Sequence, residues 1–498
     1  MNMNKIRIWN KDQFTTVITS PEESLYSALT NQGYKIPAPC GGNGTCGKCA
    51  VQTSQGVKLA CQTIGVDGID VYPPQSGDGK FVVLDTYESL RPFTMDRGRG
   101  YGIAIDIGTT TLAFELINMA TGERVCTYSK ANSQRSLGAD VVTRIKQANE
   151  GAQAQLHECV IDDISQGIAQ ILKDASLEYG DVAAVSISGN TTMLHLLLNL
   201  SCETLGVFPF TPVDIAMMRC TFGEVFGPDK NLCSASLFIL PGISTFVGAD
   251  IAAGILCCST PNDTSPNLLI DLGTNGEMAL FSKETLLVTS TAAGPAFEAG
   301  NISMGTASIP GAIAKVRYLP ENNVFIYETI DNKPPIGICG TGVVDIAAEL
   351  VRHGLVDETG RLEDPYFDDG VEIGPGVVFT QRDMREIQLA KSAVRSGIEI
   401  LLDMAGCGYN DIGKVFLAGG FGHRMSMESA VALGLIPVEL ADKIVTVGNT
   451  SLGGAAHVLL STGAEADIEA LAGRGNEINL STHPRFNDLF MEYMMFGG

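Results

Sequence analysis

The sequence predicts an α/β protein that begins with a small α+β domain. Three observations lead there. Four cysteines crowd a glycine-rich loop between two strand-like runs near the start. An apolar strand followed by Asp-x-Gly-Thr and a second strand occurs twice, about 165 residues apart. A further buried strand runs into a Gly-Gly pair about 145 residues after the second copy. With 498 residues, the chain exceeds the size at which one core stops growing, so two or three domains are expected.

Composition narrows the function classes. Hydrophobic residues are 45% and charged residues 18%, which is a globular mixture rather than a disordered one. Lys plus Arg is 33 and Asp plus Glu is 56, for a net charge of -23. Such a chain repels nucleic-acid backbones and anionic membranes, so neither is an expected partner. A compact nucleotide site is compatible with it, because backbone amides and a metal ion can hold phosphates. The opening MNMNKIRIWN has no apolar stretch of signal-peptide type, and no run reaches the length of a membrane span. A cytoplasmic protein is expected. Its 13 cysteines are then thiols or metal ligands rather than disulfides.

Cys40, Cys46, Cys49 and Cys61 are spaced C-x5-C-x2-C-x11-C. Plant-type [2Fe-2S] ferredoxins use C-x4-C-x2-C and a later fourth cysteine. This chain differs by one residue in the first gap and has a short last gap, as in ferredoxin domains built into larger redox enzymes. A small anionic cluster needs four converging thiolates and a loop that wraps them. Gly41, Gly42, Gly44 and Gly47 let the chain bend that tightly. The flanking KIRIW and VKLACQ read as strands, so a β-grasp ferredoxin domain over residues 1–84 is expected. A zinc knuckle is the alternative, but it prefers paired C-x2-C units, and only Cys46 and Cys49 form one here. The same glycines also spell G-x-G-x-x-G and G-x4-G-K. Neither is a nucleotide fingerprint here, since cysteines interrupt the first and Cys49 replaces the Ser or Thr of the second. Residues 85–100 read as a linker, with Arg91, Arg97 and Arg99 as solvated charges ahead of the alternative, docking on an acidic neighbour.

From Tyr101 a different pattern begins. YGIAIDIGTTTLAFELIN reads as strand, turn, strand, with Asp106 closing the apolar run before Gly108, Thr109, Thr110 and Thr111. NLLIDLGTNGEMALF repeats it with Asp271, Gly273, Thr274, Asn275, Gly276 and Glu277. KVFLAGGFGHRM adds a strand ending at Ala418, then Gly419, Gly420, Phe421 and Gly422.

This set resembles the actin-like ATPase superfamily, which includes actin, sugar kinases, acetate kinase and heat-shock chaperones. The resemblance implies two similar lobes, at 101–260 and 261–498, that clamp ATP, with C-terminal helices returning to the first lobe. The chemistry agrees with it. Glycine admits phosphates close to backbone N–H groups, Thr hydroxyls add donors, and an Asp at a strand end holds Mg2+, usually through water. Metal and donors together stabilise a phosphoryl group in transfer. The Gly-Gly turn is expected beneath the adenosine, with His423 and Arg424 nearby or simply on the surface. Asp106 and Asp271 are the metal-side candidates. Asp250 or Glu298 could orient the attacking water, against plain capping or structural roles. The turns SGNTT, at Gly189–Thr192, and VGNTSLGG, at Asn449–Gly454, resemble the starts of the superfamily's inter-lobe helices. Cys257, Cys258, Cys339 and Cys407 have no ligand spacing and are expected to be free thiols.

A ferredoxin domain joined to an actin-like ATPase resembles the reductive activators of corrinoid-dependent enzymes. CGGNGTCGKC, YGIAIDIGTTT, LLIDLGTNGEM, GPAFEAG, GICGTG and LAGGFG carry that resemblance in order along nearly the whole chain. It implies an ATP-hydrolysing protein that passes one electron from a [2Fe-2S] cluster to Co(II), regenerating Co(I) for methyl transfer. A plant-type cluster lies near about -400 mV, and each ~59 mV uphill disfavours transfer tenfold, so ATP must bias the complex. The implied partners are a corrinoid protein and a low-potential donor such as a ferredoxin or flavoprotein. Larger members place an extra domain where this chain has about 16 residues; a homodimer stays open as a partner. Three other readings remain: a small-molecule kinase with a regulatory cluster, an activator of another low-potential enzyme, and an ATP-gated redox sensor.

Overall fold

The computed structural model describes residues 4–10, 13–34, 36, 42, 44, 49–64, 67–72, 86–228, 231–260, 264–273, 275–422 and 425–496. Cys40, Cys46, Thr274, His423 and Arg424, and the domain boundary at residue 84, lie outside the described residues.

The N-terminal domain holds β1 (Asn4–Asn10), β2 (Gln13–Thr19), α1 (Leu25–Asn31), β3 (Ala50–Thr53), β4 (Gly56–Leu59) and β5 (Asp70–Tyr72). The sheet order is β2–β1–β5–β3–β4, with β1 and β5 parallel. Ile6 and Ile8 point to one face, as the two-residue period of a strand requires, and meet Leu25, Leu29, Val51 and Val71 in a small core. Strand β4 is shorter than VKLACQ suggested. It ends at Leu59, and a single 3-10 turn over Ala60–Gln62 carries Cys61. A strand would have kept Cys61 in line, whereas the turn swings it toward Cys49.

The first lobe contains β6 (Tyr101–Ile107), β7 (Thr111–Asn118), β8 (Arg124–Ala131), α2 (Val141–Gln147), α3 (Gln153–Ala175), β9 (Val182–Gly189), α4 (Thr191–Leu197), β10 (Met218–Thr221), α5 (Phe222–Phe226), β11 (Ser236–Ile239) and α6 (Ala249–Cys258). Its sheet runs β10–β11–β9–β6–β7–β8. The second lobe contains β12 (Asn267–Leu272), β13 (Gly276–Phe281), β14 (Leu286–Thr291), β15 (Ala312–Leu319), β16 (Val324–Thr329), β17 (Gly337–Ile338), α7 (Gly340–Arg352), α8 (Tyr366–Asp369), β18 (Val371–Gly374), β19 (Val377–Phe379), α9 (Gln381–Ala405), β20 (Val415–Ala418), α10 (Gly419–Gly422), α11 (Met427–Ala432), β21 (Ile444–Gly448), α12 (Thr450–Leu460), α13 (Thr462–Arg474), β22 (Asn476–Glu477) and α14 (Phe486–Tyr493). Its main sheet runs β21–β20–β12–β13–β14–β22.

The two sheets share a plan. In each, three consecutive strands form an antiparallel meander, β6–β7–β8 and β12–β13–β14. Two later strands then add in parallel beside the first of the three, β9 with β11 and β20 with β21. This is the duplicated, two-lobe actin-like architecture. Strands β6 and β12 are apolar nearly throughout, because parallel neighbours and covering helices bury both faces.

Helices α6 and α12 cross where the lobes join. α12 leaves β21 of the second lobe and packs on β6 and β9 of the first, while α6 reaches β9, β12 and β13. Glycine lets the two backbones approach: a Cβ on Gly454 would sit 2.5 Å from Ala253 backbone atoms, and one on Gly254 would sit 2.9 Å from Thr450 Oγ1. The crossing partner of α12 is therefore α6, whereas the sequence pointed to α4. α4 is a seven-residue helix that packs on α2 and α3.

Residues 86–97 do not form an extended, solvated linker. Tyr87 is buried and bridges Gly448. Arg91 pairs with Asp467 at 2.5 Å, and Arg97 pairs with Glu465 and stacks over Phe238. Arg99 is exposed, as expected. The charges on Arg91 and Arg97 dock because α13 presents acidic side chains along the segment's path.

Two substitutions test the crossing. Gly454→Ala should destabilise the protein by about 2 kcal/mol in urea unfolding, through overpacking against a backbone that cannot yield. Gly473→Ala, near the end of α13 with nothing within 4 Å of the new methyl group, should be neutral or stabilising by up to about 1 kcal/mol.

Candidate functional site

The two Asp-x-Gly-Thr hairpins face each other across the cleft between the lobes. In the first, Gly108 N–H donates to Thr111 O at 2.9 Å, so the turn is a closed hairpin. A Cβ on Gly108 would lie 2.7 Å from that oxygen. The turn is clamped from behind. Asn132 N–H donates to Thr110 O at 3.0 Å, and its Nδ2 donates to Gly108 O at 2.9 Å. Arg144, fully buried on α2, donates to Thr109 O at 2.5 Å and to Gly138 O at 2.9 Å. Burial pushes its guanidinium down to about 10. In the second hairpin Gly273 N–H donates to Asn275 O at 3.0 Å. Gly276 is buried and begins β13.

Two helix-capping asparagines reach into the site. Asn190 Oδ1 caps α4 by accepting from Met193 N, and its Nδ2 donates to Thr109 Oγ1 at 3.0 Å. Asn449 Oδ1 caps α12 by accepting from Leu452 N, and its Nδ2 donates to Asp106 Oδ2 at 2.9 Å. Ser451 Oγ donates to Asp106 Oδ1 at 2.7 Å and also lies 2.9 Å from Ser188 Oγ. Asp106, which ends β6 of the first lobe, is thus fixed by the helix that arrives from the second.

Five carboxyl groups sense one another here: Asp106, Asp250, Asp271, Glu277 and Glu298. Burial raises Asp106, against the hydrogen bonds from Ser451 and Asn449. Burial, then the charge of Asp106, raises Asp250 to about 7. Burial, then Asp250, Asp106 and Glu298, raises Asp271 to about 7. Glu277 is raised well above its ordinary value, by burial and then by Asp250 and Asp271. Their tips line the cleft yet are hemmed in by protein, while Glu298 stands exposed at the rim. Among the described residues, no three His, Cys, Asp or Glu side chains converge closely enough to hold a metal directly. The donor set fits a cation held through its water shell, the mode usual for Mg2+.

The Gly-Gly turn follows β20, and Gly419 takes φ +82. A Cβ on Gly419 would lie 2.5 Å from Asp271 Oδ1 and 2.9 Å from Leu272 O. Glycine is needed there to make room for the acidic residue of the second hairpin. Gly420, Phe421 and Gly422 complete the one-turn helix α10.

In the N-terminal domain Cys49 and Cys61 bring their sulfurs to 3.0 Å, and Cys61 N–H points at Cys49 Sγ from 3.4 Å. The separation is too long for a disulfide bond. Two converging thiols with an amide aimed at one sulfur fit an iron–sulfur ligand pair. Tyr26 of this domain lies near enough to the first lobe to act on the charge of Arg135. Its ring fills the space over Gly42, where a Cβ would come within 2.5 Å. Burial pushes Arg135 of the first lobe down, while Glu298 of the second lobe and Tyr26 pull it back up.

Sequence reasoning named Asp106, Asp271, Glu298 and both hairpins as candidates, and the structure brings them to one cleft. It missed Arg144, Asn132 and Ser451, and it read Asn190 and Asn449 only as turn residues. One signal was present: G-N-T followed by Thr or Ser stands after a strand at both Gly189–Thr192 and Gly448–Ser451.

Fold and site define a two-lobe actin-like ATPase domain behind a ferredoxin domain. Three family models match in turn: a 2Fe-2S iron-sulfur cluster binding domain at residues 8–64, the RACo middle region at 101–262, and the C-terminal domain of RACo, described as the ASKHA domain, at 265–497. The chain is 32% identical to "Corrinoid activation enzyme RamQ" of Eubacterium limosum, over 80% of this chain and 70% of that one. It is 27% identical to the "[Co(II) methylated amine-specific corrinoid protein] reductase" of Methanosarcina barkeri, over 78% and 76%. A solved "Reductive activator for corrinoid,iron-sulfur protein" superposes with TM-score 0.71 at 26% identity, over 99% of this chain and 98% of that one. The chain belongs to the family of reductive activators of corrinoid proteins. No helix among the described residues is long and apolar enough to cross a membrane.

The raised carboxyls give a pH test. Asp271 titrates at about 7 in the fold against an ordinary 3.8. Between those values the folded protein keeps a proton that the unfolded chain has released, so stability falls as pH rises through the window. In calorimetry of the nucleotide-free protein, Asp271→Asn should flatten the decline in Tm between about pH 4 and pH 7.

Proposed function

We propose that this protein reactivates a corrinoid protein by ATP-dependent reduction, passing one electron to Co(II) to regenerate Co(I) for methyl transfer. The observation that carries this reading is the joining, in one chain, of a cysteine pair fit for a [2Fe-2S] cluster to a cleft lined from both lobes by carboxylates. Membership of the reductive-activator family gives that combination its direction.

Cys40, Cys46, Cys49 and Cys61 would hold the cluster, which supplies one-electron transfer at low potential. In the cleft, the turns Gly108–Thr111 and Gly273–Gly276 would receive the phosphates of ATP through amides other than the Gly108 and Gly273 N–H groups, which close the turns, with Thr109, Thr110, Thr111 and Thr274 adding hydroxyl donors. Gly419, Gly420, Phe421 and Gly422 bound the nucleoside end. Asp106 and Asp271, one from each lobe, orient the water shell of Mg2+. Glu298 at the rim positions the hydrolytic water. With ATP and its metal bound, Asp106 and Asp271 would no longer repel across the cleft, and the lobes could close. A low-potential ferredoxin or flavoprotein in the cytoplasm refills the cluster.

The kinase reading is weaker, because it leaves the ferredoxin domain and membership of the reductive-activator family without a use. An activator of a different low-potential enzyme is the outcome that the following test would favour instead.

The full chain, reconstituted anaerobically with its cluster, would be mixed with a reductant, Mg·ATP and a Co(II) corrinoid protein from a methyltransferase system. The Co(I) absorption band should appear only with ATP. It should form at least about tenfold more slowly with Cys46→Ala or Asp106→Ala. Reduction of the cluster and hydrolysis of ATP while cobalt stays Co(II) would overturn the reading.

A further inference from the structure

The chain leading out of the ferredoxin domain is bonded to the joint between the lobes. Thr86 O accepts from Asn449 N at 3.0 Å. Tyr87 bridges Gly448 in antiparallel fashion, and Glu88 N–H donates to Val447 O at 2.9 Å. These residues lengthen the edge of β21 at the point where the chain passes from the second lobe to α12 on the first. Gly448 adopts φ +76, and a Cβ there would collide with the Thr86 carbonyl. The joint is therefore shaped to accept this segment.

Tyr87 pins the segment to the first lobe. Its ring covers Gly453, where a Cβ would come within 2.7 Å of it. Its hydroxyl donates to Glu115 Oε2 at 2.8 Å. Glu115 is fully buried on β7 and also pairs with Arg124, whose guanidinium lies 4.3 Å over the Tyr87 ring. Beyond Tyr87, Ser89 Oγ meets His457 Nε2 of α12 at 2.7 Å, and Leu90 N–H donates to Cys257 O of α6 at 3.1 Å. Asp96 accepts from Thr462 N at 2.7 Å at the start of α13. The strap thus grips both crossing helices and β21, the strand that leads into α12.

Asn449 is common to the strap and the cleft. Its backbone N–H holds Thr86, and its side-chain amide holds Asp106. A shift of Asp106 or of α12 on lobe closure must move Asn449, and with it the carbonyl of Thr86.

We propose that Thr86, Tyr87 and Glu88 are positioning residues that transmit the state of the cleft, through Asn449, to the polypeptide leading to the ferredoxin domain. The inference rests on the proposed ATP reading and adds the route of its coupling. The strap connects nucleotide and electron carrier mechanically, so closure changes where the ferredoxin domain is held. A merely anchored linker would leave that position indifferent to nucleotide.

Hydrogen–deuterium exchange on the full, cluster-loaded chain, with and without Mg·AMPPNP, separates the outcomes. Peptides covering 106–111 and 271–277 report binding in the cleft, and those covering 86–92 and 445–452 report the strap. The expected result is a change of at least about fivefold in both sets, because the amides of Glu88 and Asn449 are bonded across the joint. Cleft peptides that change while strap peptides do not would overturn the inference and leave the ATP reading standing. No change in either set would overturn both. Tyr87→Phe, which keeps the packing and loses the bond to Glu115, adds a readout that stability alone would not move. It should raise the ratio of ATP hydrolysed to Co(I) formed by at least about threefold, and an unaltered ratio would overturn the inference.

Discussion

Carboxylates forced together across a cleft govern this molecule. Asp106 comes from the first lobe, Asp250 from the helix that spans both, and Asp271 and Glu277 from the second. Burial raises all four, and neighbouring carboxylates raise Asp250, Asp271 and Glu277 further. Without a cation, the arrangement is relieved by protonation or by keeping the lobes apart, since like charges in a poorly solvated site cannot all ionise. In the proposed function, a divalent cation and a nucleotide would turn the same groups into a reason to close, and the cleft would act as a spring whose rest position depends on what occupies it.

Such a spring is useful only if its motion reaches something. The close crossing of α6 and α12, allowed by Gly254 and Gly454, makes the joint a contact between backbones, with little side-chain slack to absorb movement. The asparagines that start α4 and α12 then tie helix ends to Thr109 and Asp106 at the cleft. Each uses its carbonyl oxygen to cap a helix and its amide to hold the site. A helix start is a natural place for this, because its capping residue is fixed by the fold whether or not a ligand is bound.

Much of this was legible in the sequence. The hairpins declare themselves because an Asp closing an apolar strand just before Gly-Thr carries a desolvation cost that a purely structural turn does not require, and because it happens twice. The cysteine loop is legible from spacing and glycine. What stayed hidden depends on pairing distant in sequence. Arg144 sits in VVTRIKQ, where an arginine reads as a solvent-facing helix residue, yet the turn at Gly138 buries it beneath Thr109. Arg91 and Arg97 look solvated because their acidic partners on α13 lie more than 360 residues away. Ser451 is an ordinary helix-start residue until α12 is known to lie against β6. Glycine at 419 was expected to make room for the nucleoside, and it first makes room for Asp271.

In the proposed function, carboxylates from opposite lobes jointly hold one metal–nucleotide complex. Equilibrium binding of Mg·ADP to Asp106→Asn and Asp271→Asn, by calorimetry beside the unaltered protein, tests it most directly. Both substitutions are isosteric and remove repulsion, so neither should lower the melting temperature. Each should weaken binding by at least about tenfold, or about 1.4 kcal/mol. Undiminished affinity in either variant would mean that a single lobe holds the nucleotide, and would contradict that claim.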